Sequence, residues 1–305
     1  MKYNTIIIGA GISGITSAIY LKRAGIDVCI IEKSAPGGQL LRTSAVENYP
    51  ASNPKVEGST LAINLYEQIQ SLEIPLEFDE VISVENNIDK KEIITKNNHY
   101  TCKNIIIATG RNYKKLNIEN EDKLTGKGIS YCAICDGALY KDKNDIVIGA
   151  GDSAFKESLY LSNLCNKVTI IARRDEFRAS SNHIESVNNK DNIDIITNTE
   201  VIRFNGNEKL ESVRIKDKDT TEEKEIEVDG CFIYIGQTPE TKIFEDLNIQ
   251  MEDGYIITNE NMQTNIENIY ACGDVRKKDL YQLVTATYDG CIAANNIISQ
   301  NEKKA

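Results

Sequence analysis

The sequence predicts an α/β protein with two doubly wound, Rossmann-like nucleotide-binding domains built on parallel sheets. Three observations carry this. The chain contains the same strand, glycine turn, helix, strand unit twice. Each copy has the glycine spacing of a dinucleotide fingerprint, Gly9-Ala10-Gly11-Ile12-Ser13-Gly14 and Gly149-Ala150-Gly151-Asp152-Ser153-Ala154. The copies align without a gap at an offset of 140 residues, Gly9 to Gly149.

The elements follow in order. Asn4–Ile8 and Asn144–Ile148 are short apolar runs ending at glycine, as buried parallel strands should be. A helical stretch follows each Gly-x-Gly and ends in a matching pair, Tyr20-Leu21 and Tyr160-Leu161. Each copy then returns to a second apolar run, Val28–Ile31 and Val168–Ile171. The glycines permit a tight turn and let the backbone approach a pyrophosphate at the positive end of the helix. A lone fingerprint is weak evidence; two in the same strand context are strong. Leu61, Leu65, Ile69 and Leu72 have helical spacing, so Leu61–Leu72 is expected to be a helix. Val201–Val228 alternates around Lys216-Asp217-Lys218-Asp219 and reads as a β meander with an exposed turn.

The copies differ at the end of their second strands. The first has Glu32, whose carboxylate suits ribose hydroxyls and would repel a 2′-phosphate. The second has Ala172, followed by Arg173, Arg174 and, one turn on, Arg178, whose guanidinium forks suit a phosphate dianion. The first site therefore reads as the FAD site and the second as the NADPH site.

The 305 residues suggest roughly two domains with a sizeable core, and 41% hydrophobic content is that of a globular chain. No apolar run approaches the ~20 residues of a membrane span, and no leader precedes the first strand. A cytoplasmic location is expected. The net charge of -11 argues against nucleic acid or an anionic membrane as partner. The last five residues, Asn301–Ala305, are expected to fray.

Of eight cysteines only Cys132 and Cys135 are closely spaced. Cys29 and Cys231 sit in apolar runs and read as small buried hydrophobes; Cys102, Cys165, Cys272 and Cys291 have no evident partner. The two histidines, His99 and His183, have no metal-ligand spacing, so no metal is expected. Cys132-Ala133-Ile134-Cys135 places two residues between the sulfurs. In a first helical turn this spacing lets a disulfide open and close with little backbone change, and a helix N-terminus lowers thiolate pKa. Asp136 follows at once and is the candidate acid and base for the departing thiolate, or a helix cap.

These residues resemble the low-molecular-weight thioredoxin reductases, nearly end to end. Further matching segments are Gly37-Gly38-Gln39-Leu40, Glu47-Asn48-Tyr49-Pro50, Ala108-Thr109-Gly110, Arg173–Ala179, Ile235-Gly236-Gln237-Thr238-Pro239 and Gly273-Asp274-Val275. The Cys-x-x-Cys-Asp shortly ahead of the second fingerprint is the most specific. The resemblance implies an NADPH domain inserted into the FAD domain, with residues 1–112 and 242–305 forming the FAD-binding part and 113–241 the NADPH part. Crossovers near Arg111-Asn112-Tyr113 and Gln237-Thr238-Pro239 would act as hinges. It implies that Cys135 faces the flavin and Cys132 attacks thioredoxin, in a homodimer. It implies FAD contacts at Gly9, Gly11, Ile12, Ser13, Gly14, Glu32, Gly38, Gln39, Leu40, Asn48, Val81, Ala108, Thr109, Gly110, Gly273, Asp274, Gln282 and Leu283. NADPH contacts would come from Gly149, Gly151, Asp152, Ser153, Ala154, Arg173, Arg174, Arg178, Ile235 and Gly236.

The sequence departs from the pattern at three places. Ala172 stands where a His usually precedes the arginines, Tyr281-Gln282 where Arg-Gln is usual, and Ala286-Thr287-Tyr288 where small-Ala-Gly is usual. The alternative is the same scaffold serving another redoxin or taking electrons from ferredoxin. A non-catalytic nucleotide sensor with structural cysteines is the reading from a different class.

Overall fold

The computed structural model describes residues 1–43, 46–50, 56–87 and 90–302. The chain divides into two compact units. The first comprises Met1–Leu41, Tyr49–Asn112 and Thr238–Ala305, and the second Arg42–Asn48 and Tyr113–Gln237. The second boundary thus falls between Gln237 and Thr238, not at 241/242. Residues 238–241 are bound into the first unit: Glu240 N–H donates to Gly110 O (3.0 Å), and Thr241 Oγ1 donates to Gly254 O (2.9 Å). Nothing in the sequence pattern marks Arg42–Asn48 as part of the second unit.

In the first unit β1 (Lys2–Ile8), α1 (Ile12–Arg23) and β2 (Val28–Glu32) form the expected repeat element. α2 (Gly58–Ser71) begins three residues ahead of the expected Leu61. β3 (Leu76–Phe78), β4 (Val81–Asn86), β5 (Lys91–Thr95) and β6 (His99–Ile107) complete a sheet in the order β3-β2-β1-β6-β5-β4. β3, β2, β1 and β6 run parallel, whereas β5 runs antiparallel to both of its neighbours, β6 and β4.

The second unit is entered through β7 (Arg111–Tyr113) and α3 (Glu121–Leu124). β8 (Ile129–Ser130) leads to the short α4 (Ala133–Asp136), then β9 (Asn144–Ile148), α5 (Asp152–Ser162), β10 (Lys167–Ile171), α6 (Ser181–Asn188) and β11 (Ile193–Ile196). β12 (Thr199–Asn205), β13 (Ser212–Asp217) and β14 (Glu223–Glu227) are the antiparallel meander. Its turn starts at Lys218, two residues later than expected, because Lys216 and Asp217 finish β13. The Asp217 carboxylate then accepts from Asp219 and Thr220 N–H, both at 2.8 Å, and closes the turn. β15 (Gly230–Ile233) completes a parallel sheet, β11-β10-β9-β15-β8, and β16 (Gln237–Pro239) pairs with β7. Back in the first unit come the hairpin β17 (Met251–Glu252) and β18 (Tyr255–Ile256), then β19 (Ile269–Ala271), parallel to β6, and α7 (Leu283–Glu302). The helix continues through Glu302, so Asn301 and Glu302 are not frayed; Lys303–Ala305 lie outside the described residues.

Successive strand residues point to opposite faces. This explains why apolar runs without alternation sit in both sheets, whose two faces are each covered. In the first unit Ile6, Ile8, Ile31, Ile105 and Ile107 pack on one face with Phe244 and Val275. Ile7, Ile30 and Ile106 pack on the other against α1 and α7. The second unit repeats the device: Ile146, Ile148 and Ile171 face the meander, while Val147, Ile170 and Phe232 face α5. Each fully buried isoleucine contributes roughly 1.5–3 kcal/mol relative to exposure.

One buried charge stands out at the base of β9. Asp145 is 2% exposed; its Oδ2 accepts from the Cys165 thiol at 2.9 Å, and its Oδ1 has no hydrogen-bond partner among the described residues. Burial raises its carboxyl to about 7. A carboxyl raised in the folded state stabilises fully below its unfolded value of ~3.9, and that contribution is lost as pH rises through about 7. Asp145→Asn should therefore melt above the parent at pH 8, with the gap closing towards pH 4. A gap independent of pH contradicts this account.

Candidate active site

The two glycine loops are built alike. β1 ends at Ile8, and Gly9 turns with φ +106°; a Cβ there would lie 2.4 Å from Ala108 O, so no other residue fits between the strand ends. Gly149 does the same with φ +149°, its missing Cβ 2.3 Å from Tyr234 O. Gly14 lets α1 approach the loop, since a Cβ would stand 2.1 Å from Gly9 O. In contrast, a Cβ on Gly11 or on Gly151 would meet nothing within 4 Å. Those two residues are the N-caps of α1 and α5, and among the described residues neither helix start has a side-chain cap bond, so the positive end of each helix meets the loop. The same openness holds at Gly110. Each loop therefore has the room and the polarity for a pyrophosphate.

Glu32 reaches back to its own loop. Its Oε2 accepts from Ala10 N–H at 2.8 Å, and its Oε1 from Ser34 N–H at 2.9 Å and Ser34 Oγ at 3.2 Å, which leaves the second lone pair of Oε2 for a sugar hydroxyl. Gly37 N–H donates to Ala10 O (2.8 Å) and brings the 3-10 turn Gly38–Arg42, with Gln39 and the buried Leu40, beside the same loop. Ile12 begins α1, and Ser13 Oγ lies against Gly273, where a Cβ would stand 2.4 Å away. Ala108 and Thr109 follow β6, and Thr109 Oγ1 donates to Glu240 O at 2.7 Å. Asp274 is ion-paired to Arg111 (3.2 Å) and to Lys278 (3.5 Å). Gln282 and Leu283 open α7, where Thr285 Oγ1 accepts from Gln282 N–H (3.0 Å). Val81 is 7% exposed and packs in the core face with Ile6 and Ile8; Asn48 is exposed and belongs to the second unit.

Sequence reading missed the charged support beneath Asp274. Asp289 on α7 is 1% exposed, accepts from Gly273 N–H (3.1 Å) and is paired with Arg276 (3.2 Å) and Lys278 (3.0 Å). Arg111 also lays its guanidinium 3.8 Å from the ring centroid of Tyr281. No spacing rule links residues so far apart in the chain.

In the second unit Asp152 and Ser153 open α5, and Ala154 is fully buried beneath the loop. Asp152 accepts from Ser180 N–H (2.8 Å) and is paired with His183 (2.9 Å). The first of these contacts, then the second, holds its carboxyl below the ordinary range. Arg173 and Arg174 follow β10 and are exposed, as is Arg178. Arg178 N–H donates to Ala150 O at 2.8 Å, which fixes that arginine beside the fingerprint. Ile235 and Gly236 continue from β15, and Gly236 turns with φ +114°.

Cys132 and Cys135 are joined in a disulfide with Cα atoms 5.3 Å apart. Cys132 is the N-cap of α4, and its sulfur accepts from Cys135 N–H at 3.2 Å. Asp136, 8% exposed, accepts from Ser130 Oγ at 2.7 Å, and the same Oγ accepts from Cys132 N–H at 3.0 Å. Ser130 is thus the link between carboxylate and dithiol turn, and no motif marks it. Asp136 makes no side-chain capping bond to the following 3-10 turn. Cys29, Cys102, Cys165, Cys231 and Cys272 are buried free thiols, and Cys291 is half-buried. Among the described residues no helix is long and apolar enough to cross a membrane, and no side-chain cluster could hold a metal ion.

Two nucleotide loops and a disulfide-bonded Cys-x-x-Cys turn define a protein of nucleotide-dependent disulfide chemistry. Comparison with known proteins agrees. The chain matches the pyridine nucleotide-disulphide oxidoreductase family over residues 3–290. It is 41% identical over 296 residues to a thioredoxin reductase of Bacillus subtilis (strain 168), covering 97% of this chain and 93% of that one. The crystal structure of thioredoxin reductase from Streptococcus pyogenes MGAS5005 aligns with TM-score 0.95 at 39% identity over 99% of both chains. That of the Lactococcus lactis thioredoxin reductase, in the FR conformation, aligns with TM-score 0.66 at 38% identity over 98% of this chain and 99% of that one. The chain belongs to the pyridine nucleotide-disulphide oxidoreductase family, and within it to the thioredoxin reductases. Membership implies a flavin and a pyridine nucleotide as cofactors.

Proposed function

We propose that the chain is an NADPH-dependent thioredoxin-disulfide reductase with FAD as its flavin, acting as a homodimer in the cytoplasm. The observation that carries this is the Cys132–Cys135 disulfide closed across the first turn of α4 in the same unit as the arginine-flanked glycine loop. The free thiols favour a reducing compartment.

The residues divide the work. Gly11, Gly14 and the N-terminus of α1 hold the flavin nucleotide's pyrophosphate, and Glu32 its ribose. Asp274, held by Arg111, Lys278 and the Asp289 network, fixes the ribityl-phosphate region. Gly151 and α5 hold the second pyrophosphate, and Arg173, Arg174 and Arg178 the 2′-phosphate. Bound FAD supplies a two-electron relay from nicotinamide to disulfide.

Two electrons break the Cys132–Cys135 bond. The Cys132 thiolate then attacks one sulfur of the oxidised thioredoxin disulfide and releases the other as a thiolate. Cys135 attacks Cys132 Sγ, which reforms the Cys132–Cys135 disulfide and frees reduced thioredoxin. Asp136, oriented by Ser130, holds the proton exchanged with the outgoing thiolate.

The test is an anaerobic titration of the flavoprotein with NADPH and NADH, following flavin bleaching. Rapid bleaching by NADPH and much weaker bleaching by NADH is expected. Arg173→Ala with Arg174→Ala should raise the NADPH requirement about 10- to 100-fold per lost charged contact (~1.5–3 kcal/mol) and leave NADH unaffected. Slow bleaching by both nucleotides in a protein that dithionite still reduces would falsify NADPH as donor and turn attention to a ferredoxin-like source.

A further inference from the structure

The dithiol turn is tied to the sheet at a second point, away from Ser130 and Asp136. Tyr234 follows β15, and its hydroxyl accepts from Ala133 N–H at 2.6 Å. Ala133 is the first helical residue of α4, lies between the two cysteines and is fully buried. Its amide is one of those that a helix start leaves without a partner, and Cys132 Sγ serves only that of Cys135.

The tyrosine that meets it is itself fixed at the main chain. Tyr234 N–H donates to Ile148 O at 2.7 Å, and its carbonyl sits over Gly149, where only the absence of a Cβ leaves room. One residue therefore spans from the second glycine loop to the dithiol turn. Burial lifts the Tyr234 hydroxyl well above its ordinary pKa, so it stays neutral across working pH.

We propose that Tyr234 is a positioning residue of the redox centre: by holding Ala133 N–H it keeps the α4 turn in the geometry of the closed disulfide. The consequence is thermodynamic. A disulfide accepts a narrow range of Cα separations and dihedrals, whereas an open dithiol accepts many. A tether that fixes the turn near the observed 5.3 Å separation therefore stabilises the disulfide more than the dithiol. Tyr234 makes the dithiol the stronger reductant without touching either sulfur. The inference rests on the reading of this pair as the redox centre.

Tyr234→Phe keeps the ring and removes the hydroxyl. Wild-type and variant flavoprotein are equilibrated anaerobically in dithiothreitol redox buffers, quenched by alkylation, and the free thiols of Cys132 and Cys135 are counted by mass. The variant should shift about fivefold towards the dithiol, ~20 mV on the two-electron scale of 29.6 mV per decade. An unchanged midpoint, even with a lower melting temperature, assigns Tyr234 a purely structural role and overturns the proposal, as does a shift towards the disulfide. Tyr234→Met, which fills the same slot with a flexible apolar chain, gives the same readout if the phenylalanine variant does not fold. A wild-type pair that stays closed even in excess dithiothreitol refutes instead the redox reading itself.

Discussion

Cys135→Ser is expected to lower NADPH-driven reduction of thioredoxin by at least about 10³-fold while leaving NADPH-driven reduction of ferricyanide intact. Loss of a residue that forms a covalent intermediate typically costs on this scale or more. Here the substitution also removes the only closely spaced sulfur partner of Cys132, because the other described cysteines are free and five of them are buried. Serine is nearly isosteric, and the backbone amide of residue 135 can still donate to Cys132 Sγ, as it does at 3.2 Å. The turn, the Ser130–Asp136 contact and the glycine loops should therefore survive. Ferricyanide accepts electrons directly from reduced flavin, so it reports the nucleotide sites without the dithiol. The pairing of the two assays separates the candidate functions. Loss of both activities points to a folding defect. Retention of both shows that thioredoxin reduction does not run through this cysteine pair and overturns the proposed electron path.

The parts legible in the sequence were those written as local patterns. Strand, glycine turn and helix occupy one continuous segment in each copy, so Gly9 to Glu32 and Gly149 to Ile171 could be placed from spacing alone. The Cys132–Cys135 pair is likewise contiguous. What could not be read are the contacts that join segments far apart in the chain. Tyr234 meets Ala133 from 101 residues away, and Asp289 meets Gly273 and Lys278 from 16 and 11 residues away, separations that no helix or strand period reaches. Both partners in such a contact are ordinary residues, and no periodicity marks them. The meander turn slipped for a related reason. A charge run marks solvent exposure and does not say which residue ends the ladder, and the Asp217 side chain decides that by closing the turn behind it.

Gly14→Ala and Gly11→Ala should fail in different ways, although both change the same loop by one methyl group. At Gly14 the new Cβ would lie 2.1 Å from Gly9 O and 3.2 Å from Ala108 Cβ and Ile7 Cγ2. The first contact is with backbone pinned by β1, whose neighbour Gly9 N–H donates to Ile31 O at 2.8 Å. Relief requires α1 to move off the sheet, which strips the packing of Ile15, Ala18 and Leu21 against Ile7 and Ile30. Overpacking of this kind costs about 3 kcal/mol, or more where the backbone cannot yield. At roughly 2–4 °C per kcal/mol the apoprotein should melt ~6–12 °C lower, and flavin should be lost with the loop. Gly11 is different. It has φ -74° and ψ 176°, which alanine adopts freely, and its Cβ would meet nothing within 4 Å. The Gly11→Ala apoprotein should therefore melt with the parent. The methyl group would instead project into the open space at the N-terminus of α1, where the proposed pyrophosphate must approach the amides, so flavin affinity should fall. Melting must be measured without flavin, because bound ligand raises stability by mass action and would blur the contrast. A Gly11→Ala protein that retains flavin at parental affinity would place the cofactor's phosphates elsewhere than on this loop.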